Sequence, residues 1–261
     1  MQPLMVHPCA EDTFTISAVD RVPGQGLLLC NAFLIRGQEP TLIDTCATAE
    51  REPFLQALRS LIDPAELRWI VLTHEENDHA GNLQPLLQLA PRATVIGQFQ
   101  AIGKLTHEWP VPLERAFLAN PGQSHSIADR TLRLVRPPLF DSPGTSAVFD
   151  TRTGLLFSAD CFGAFIPEPV RRASELPPSL FNAGLGKFNR ANHPWVHGID
   201  RSWLGRMLES VRALAPSAIA SSHGPLLQAE VPAVLELIAT LPNLEPWMPP
   251  DQARLVEILR Q

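Results

Sequence analysis

The stretch Trp69-Ile70-Val71-Leu72-Thr73-His74-Glu75-Glu76-Asn77-Asp78-His79 changes character once, after Leu72. Four apolar residues in a row suit a strand buried on both faces. Residues 74–79 read as a polar loop, and Gly81–Ala90 as a helix. A loop leaving the strand's carboxyl edge can point His74, Glu76, Asp78 and His79 at one common volume. Imidazole and carboxylate together suit iron, manganese or zinc. A lone His-x-Glu would be better read as part of a solvated acidic loop. The full H-x-E-x-D-H behind an apolar strand favours a metal site.

Working outward, Thr13–Val19, Leu27–Ile35 and Thr41–Ile43 are expected as strands, with a Pro-Gly-Gln-Gly turn at 23–26. Ala49–Leu61 has helical periodicity. Downstream, Thr94–Ile96 reads as a short strand and Gln98–Leu105 as a short helix. The pattern then restarts. Thr131–Val135 is a strand, and Ala147–Phe149 with Leu155–Ser158 form a hairpin over residues 150–154. The stretch 161–190, holding Pro167, Pro169, Pro177 and Pro178, reads as irregular, and coils of such length are often lids. A helix is expected from about Asp200 to Leu214, a strand at Ala218–Ala220, and helices at 231–241 and 250–260. The expectation is a single α/β domain of two halves, roughly 1–130 and 131–261, packed sheet to sheet. No internal repeat, low-complexity tract or charge block interrupts it.

A chain of 261 residues suits one large domain, and 45% hydrophobic with 18% charged residues is a globular composition. With 21 Lys and Arg against 27 Asp and Glu, the net charge of −6 argues against a nucleic-acid-binding face. The 26 prolines are scattered and read as loop stiffeners. Tyrosine is absent, so any radical or phenol chemistry must do without it. Cys9, Cys30, Cys46 and Cys161 form no C-x-x-C pair and are expected as free thiols in a reducing compartment. Met1–Asp12 lacks the features of a signal peptide. The longest apolar stretch, Leu27–Ile35, is interrupted by Asn31 and falls short of the roughly 20 residues that span a bilayer. A cytoplasmic protein without membrane or nucleic-acid partners is the expectation.

The motif spacing resembles the metallo-β-lactamase superfamily, whose hydrolases carry H-x-H-x-D-H here. Glu76 stands where they have the second histidine. That replacement is similar to the diiron branch, comprising the lactamase-like domain of flavodiiron proteins and stand-alone oxygen-binding diiron proteins. Three more segments resemble the same branch. They are Asn31–Ile35 leading to Leu42-Ile43-Asp44-Thr45, Leu156-Phe157-Ser158-Ala159-Asp160 followed by Phe162-Gly163, and Ser221-Ser222-His223-Gly224-Pro225. The resemblance covers most of residues 27–225. It implies an αββα sandwich of two mixed sheets with helices outside. It also implies two iron ions, one held by His74 and Glu76, the other by Asp78, His79 and His223, with Asp160 bridging. The family's further histidine falls on Asp141 when counted back from Phe149. Asp141 as substituted ligand, His125 as a more distant alternative, and an open position filled by water all remain readings of that departure. With Asp141 counted, the carboxylates Glu76, Asp78, Asp141 and Asp160 balance two divalent ions. Such an oxygen-rich set favours iron over zinc, with zinc or manganese the alternatives.

Around the motif, Asp44 reads either as holding a ligand histidine by its free N–H or as a strand-end cap. His193 and His197 read as a lid over the metals or as a packed helix start. His7 and His107 are expected at the surface. Cys161 is expected to pack inward, a redox role being the alternative. Arg171-Arg172 could meet an anionic substrate or partner, or be solvated charges.

Three function classes follow. The first is a non-haem diiron protein that binds or reduces dioxygen or nitric oxide. Since no flavodoxin-like segment is visible before Gln261, its electrons would come from a separate electron-transfer protein. The second is a dinuclear hydrolase acting on an ester, thioester or phosphodiester. The third is a metal-free binding module. Expected partners are dioxygen or another small molecule, the electron donor, and a second copy of the chain as a homodimer.

Overall fold

A computed structural model describes residues 4–260; Met1–Pro3 and Gln261, the outer ends of the expected domain, lie outside them. Among the described residues the main strands form two sheets. The first contains, side by side, β1 (Met5–Ala10), β2 (Thr13–Val22), β3 (Gly26–Ile35), β4 (Thr41–Ile43), β5 (Trp69–Val71), β6 (Thr94–Gly97) and β7 (Ala116–Leu118). Neighbours from β1 to β4 pair antiparallel, and those from β4 to β7 pair parallel. Between them come helices α1 (Arg51–Leu61), α2 (Asn77–Ala80), α3 (Leu83–Leu89) and α4 (Phe99–Leu105). The second sheet holds β8 (Ser124–Ile127), β9 (Arg130–Val135), β10 (Ala147–Asp150), β11 (Leu155–Phe157) and β12 (Ala218–Ala220), in the order β12-β11-β10-β9-β8. Within it only β11 and β12 pair parallel. Helices α5 (Pro178–Asn192), α6 (Arg201–Leu214), α7 (Val231–Thr240) and α8 (Gln252–Leu259) complete the chain.

The short central strands are apolar at successive positions because both of their faces are covered. Leu42, Ile70 and Val95 share a core with Phe54 and Leu58 of α1, Leu83 and Leu86 of α3, and Ile102 of α4. Their chain neighbours Ile43, Val71 and Ile96 point the other way, into a core between the sheets. Val148, Leu155 and Phe157 of the second sheet enter that same core. Phe149 and Leu156 instead face Phe181 and Leu185 of α5, Leu204 and Leu208 of α6, and Leu235 of α7. A side-chain period of two thus divides each strand between two cores. The result is four layers, helix–sheet–sheet–helix, which is the αββα sandwich expected. No helix among the described residues is long and apolar enough to cross a membrane.

Several local expectations are corrected. The stretch 161–190 is not irregular throughout, because α5 occupies its second half. Pro178 stands at the first helical position, where a missing N–H costs nothing. Burial of Phe181, Leu185 and Phe188 at helical spacing then carries the helix across Gly184 and Gly186. Gly184 is required there: a Cβ on it would lie 1.9 Å from the Phe165 carbonyl oxygen. β1, β7 and β8 were not legible, since they are edge strands or their neighbours with weak apolar alternation. His125 lies within β8, its ring packed on Trp69 and Phe117 at centroid distances of 4.5 and 4.6 Å. His7 is buried in β1 rather than exposed. All four cysteines are free. Cys161 packs inward, and burial pushes its thiol up to about 12, which makes it inert.

Candidate metal centre

Several strands end on one rim. Asp44 follows β4, the loop carrying His74 and Glu76 follows β5, Asp160 follows β11, and His223 follows β12. Asp141 joins them from the loop between β9 and β10, because β10 runs antiparallel to β11. Carboxyl ends of parallel strands are where α/β sheets bind ligands. Two of these strand ends turn through left-handed backbone at non-glycine residues, Asp44 with φ 57° and Ala159 with φ 54°. Each costs about 1–2 kcal/mol, and each reverses the chain where a carboxylate has to leave the strand. The α2 turn displays Asp78 and His79. It is anchored by Thr45, whose N–H (2.7 Å) and Oγ1 (2.9 Å) both donate to the His79 carbonyl.

All seven side chains singled out as ligands meet in one cluster. His74, Glu76 and Asp141 each bring a donor atom within 4.8 Å of the others; so do Asp78, His79 and His223, and so do His74, His79 and Asp160. Asp160 is central. Its Oδ1 lies 3.0 Å from His79 Nε2 and 3.3 Å from His223 Nε2, and its Oδ2 lies 3.9 Å from His74 Nε2. Asp141 Oδ2 is 3.7 Å from His74 Nε2, and Asp78 Oδ2 is 3.2 Å from His223 Nε2. His125 belongs to none of these groups. His193 caps α5, fully buried, with Nδ1 3.2 Å from the Asn189 carbonyl oxygen. Burial pushes it down to about 4, with Asp160 and His74 close enough to act on it. It is an uncharged packed residue beside the cluster. His197 lies in the following 3-10 helix, Pro194–Gly198, and in none of the ligand groups.

The donor chemistry fits metal ions. His74 Nε2, His79 Nε2 and Asp160 Oδ1 are buried and make no hydrogen bond among the described residues, an arrangement native proteins seldom leave unexplained. The far side of two rings is already engaged. His79 Nδ1 lies 2.8 Å from Asp44 Oδ2, and His223 Nδ1 lies 2.8 Å from the Leu29 carbonyl oxygen. A carbonyl only accepts, so His223 carries a proton on Nδ1 and its Nε2 faces Asp78 and Asp160, where a bound cation would take the place of an Nε2 proton; the Asp44 carboxylate orients His79 in the same way. This is how proteins orient metal-binding imidazoles. Asp44 is itself fully buried and also accepts from Thr73 N (2.8 Å), Thr73 Oγ1 (2.7 Å) and Ser222 Oγ (3.3 Å). Asp44 thus joins the strand end to the His79 ring through hydrogen bonds on both of its oxygens.

Electrostatics make the same demand. Burial, then the Asp160 and Glu76 charges, push the Asp141 carboxyl up to about 7. Glu76 is raised by burial and by Asp160 and Asp78. Burial works against the charged form of Asp160 too, but the His223, His79 and His74 imidazoles hold it well below the usual carboxylate range. Conversely, His79 and His223 are held well above the usual histidine value despite burial, chiefly by Asp160. His74, desolvated and next to His79, is pushed down to about 4. Crowded carboxylates of this kind require positive charge at the centre of the cluster, from protons or from cations.

Some contributing residues escaped sequence reasoning. Asn192, the last residue of α5, donates from Nδ2 to Asp160 Oδ2 (2.9 Å) and Asp141 Oδ2 (3.3 Å). Only the packing of α5 brings it there, and no local pattern marks it. Glu75, between His74 and Glu76, turns away from the cluster, pairing with the Lys104 ammonium and accepting from Ser142 Oγ (2.6 Å). It thereby ties the Asp141 loop to α4. Asn31 in β3 reaches across to the other sheet, donating to the Ser221 (2.8 Å) and Gly224 (2.9 Å) carbonyls that flank His223.

Known proteins share this architecture. A diflavin flavoprotein A 1 from Synechocystis sp. is 29% identical over 205 residues, covering 77% of this chain and 34% of its own length. A nitric oxide reductase from Moorella thermoacetica is 26% identical over 213 residues, covering 80% of this chain and 52% of its own length. The chain therefore spans about a third to a half of these relatives. The solved rubredoxin oxygen:oxidoreductase from Desulfovibrio gigas superposes with a TM-score of 0.80 at 18% identity, over 93% of this chain and 63% of that one, which shows the shared fold. The family model described as ODP family beta lactamase matches residues 28–224. That span contains the whole ligand cluster and most of both sheets, and on it the chain belongs to the ODP beta-lactamase family.

Proposed function

We propose that the chain is a non-haem diiron protein that binds or reduces dioxygen or nitric oxide, with electrons supplied by a separate partner. The observation that carries this reading is the donor set: carboxylates of Glu76, Asp78, Asp141 and Asp160 interleaved with the imidazoles of His74, His79 and His223. That set is harder than the nitrogen- and sulfur-rich sites zinc prefers. His74, Glu76 and Asp141 would hold one ion, and Asp78, His79 and His223 the other, with Asp160 shared. Bound iron would supply one-electron redox chemistry and affinity for small diatomic ligands. The chain's own residues orient and insulate. Asp44 and the Leu29 carbonyl fix two rings, Asn192 positions the two carboxylates it touches, and neutral His193 adds no charge to the wall. The relatives named as a nitric oxide reductase and an oxygen oxidoreductase support the choice of diatomic substrates.

Protein produced with iron supplied is expected to carry about two metal ions per chain, mostly iron, with near-ultraviolet charge-transfer absorption. Elemental analysis that finds two zinc ions and no iron under those conditions overturns the reading and favours a dinuclear hydrolase.

Asp44→Asn is expected to weaken metal binding about 10–100-fold, the usual effect of losing the partner that orients a ligand histidine. The amide presents an N–H where His79 Nδ1 and Thr73 Oγ1 both need an acceptor. Metal competition against a chelator measures it; unchanged affinity would mean that Asp44 only caps the strand.

A further inference from the structure

A second polar cavity lies between β1 and the segment that precedes α5. It is open to solvent, measures about 280 Å³ and is lined by His7, Pro8, Arg171, Arg172, Glu175 and Leu226. None of the seven cluster residues lines it. His7 is only 7% exposed, and its Nδ1 has no hydrogen-bond partner among the described residues. The same ring lines a narrow recess that continues inward past Thr15 and Ser17 toward Gly224.

The two arginines are presented by a firmly held backbone. Leu226 N–H donates to the Arg171 carbonyl and Ala173 N–H to the Leu226 carbonyl, both at 3.0 Å. The Glu175 carboxylate accepts from the backbone N–H groups of Arg172 (3.0 Å) and Arg171 (3.4 Å), so it is committed to the turn. The Arg171 and Arg172 guanidinium groups form no ion pair or hydrogen bond with a described residue. Burial, and after it the Arg171 charge, hold the His7 imidazole below its usual value, with Glu175 opposing and Arg172 adding to the effect. A chain of net charge −6 thus keeps two adjacent guanidinium groups beside an unpartnered, buried imidazole. Both arginines are exposed, so a ligand would displace only water from their guanidinium groups.

We propose that this cavity binds a small phosphate-type oxyanion, free or as the phosphate group of a monoester, with Arg171 and Arg172 as charged forks and the His7 ring, through Nε2–H, the nitrogen that keeps open surface, as the third donor. Guanidinium forks match phosphate oxygens in geometry and charge. Donors arriving from three residues suit a tetrahedral anion better than a planar carboxylate. The volume is just below the ~300–1,000 Å³ of ordinary small-molecule sites, so a compact anion fits. The acidic side chains of a docking protein would meet the arginines but not the largely buried His7.

Isothermal titration of the full chain with inorganic phosphate and, separately, with glycerol 3-phosphate tests this. Saturable binding with Kd below about 1 mM is expected in low-chloride buffer, together with movement of the His7 ring resonances. Arg171→Ala/Arg172→Ala should raise Kd by at least about tenfold, and His7→Gln by a smaller factor. Tighter binding of glycerol 3-phosphate identifies a monoester as the source, and tighter binding of inorganic phosphate identifies the free anion. Absence of saturable binding overturns the proposal. So does affinity unchanged in the double variant, which would place the phosphate at the metal centre, and so does binding of poly-glutamate without binding of phosphate.

Discussion

Asp160→Asn is expected to leave well under one metal ion per chain, whereas Asp141→Asn keeps about one of two. The difference follows from position. The Asp160 carboxylate lies within 4 Å of Nε2 on His74, His79 and His223, touching both halves of the cluster. Asp141 lies within that distance of His74 alone among the histidines. Two cations in adjacent groups repel each other strongly at low dielectric, and the charge between them offsets that repulsion. Removing the central charge therefore loosens both ions, while removing a peripheral one loosens the nearer ion. Elemental analysis after gel filtration with a chelator reads the outcome, and thermal unfolding checks that both variants fold. Equal loss in the two variants, or none in either, would mean that Asp160 is not shared.

Arg130→Met should cost the fold about 3–5 kcal/mol, the usual consequence of breaking one side of a buried ion pair. The Arg130 side chain has no solvent exposure. It pairs with Asp12 in the β1–β2 turn, with Asp129, and with Asp150 at 2.8 Å. It therefore binds the first sheet to the second. Asp150 is fully buried as well, and without the guanidinium its charge is left unpaired. At about 2–4 °C per kcal/mol for a protein of this size, Tm should fall by roughly 6–20 °C. Arg130→Met/Asp150→Asn should recover part of that loss, because it removes the stranded charge. A fall under about 3 °C in the single variant would show that water reaches Asp150.

The contrast between these residues shows where sequence reading works. The H-x-E-x-D-H loop was legible because its ligand types are dense, adjacent and placed behind a strand with no polar face. Asp160 and His223 were named through the family resemblance; that each ends a short apolar strand agrees with it but does not single them out. Arg130 and its carboxylates gave no sign: Asp12 and Asp150 are distant from it in sequence, and all three, the adjacent Asp129 included, look like ordinary turn residues. Asn192 and His7 were missed for the same reason. α5 was misread because its prolines and glycines outweigh its apolar spacing until a core exists to bury Phe181 and Leu185.

By itself the sequence determined the two α/β halves packed sheet to sheet and the ligand-dense loop 74–79, because these follow from local periodicity and local chemistry; the resemblance to a family supplied the layer order and the more distant candidate ligands. Only the tertiary structure decided how close those side chains come to one another, which ring nitrogen each histidine turns inward, and which charges are paired. Such properties depend on contacts between segments up to 194 residues apart, as from the Leu29 carbonyl to His223 Nδ1. They also depend on the burial that raises the Asp141 carboxyl and on the Asp160 and Asp44 charges that raise His79 against its burial.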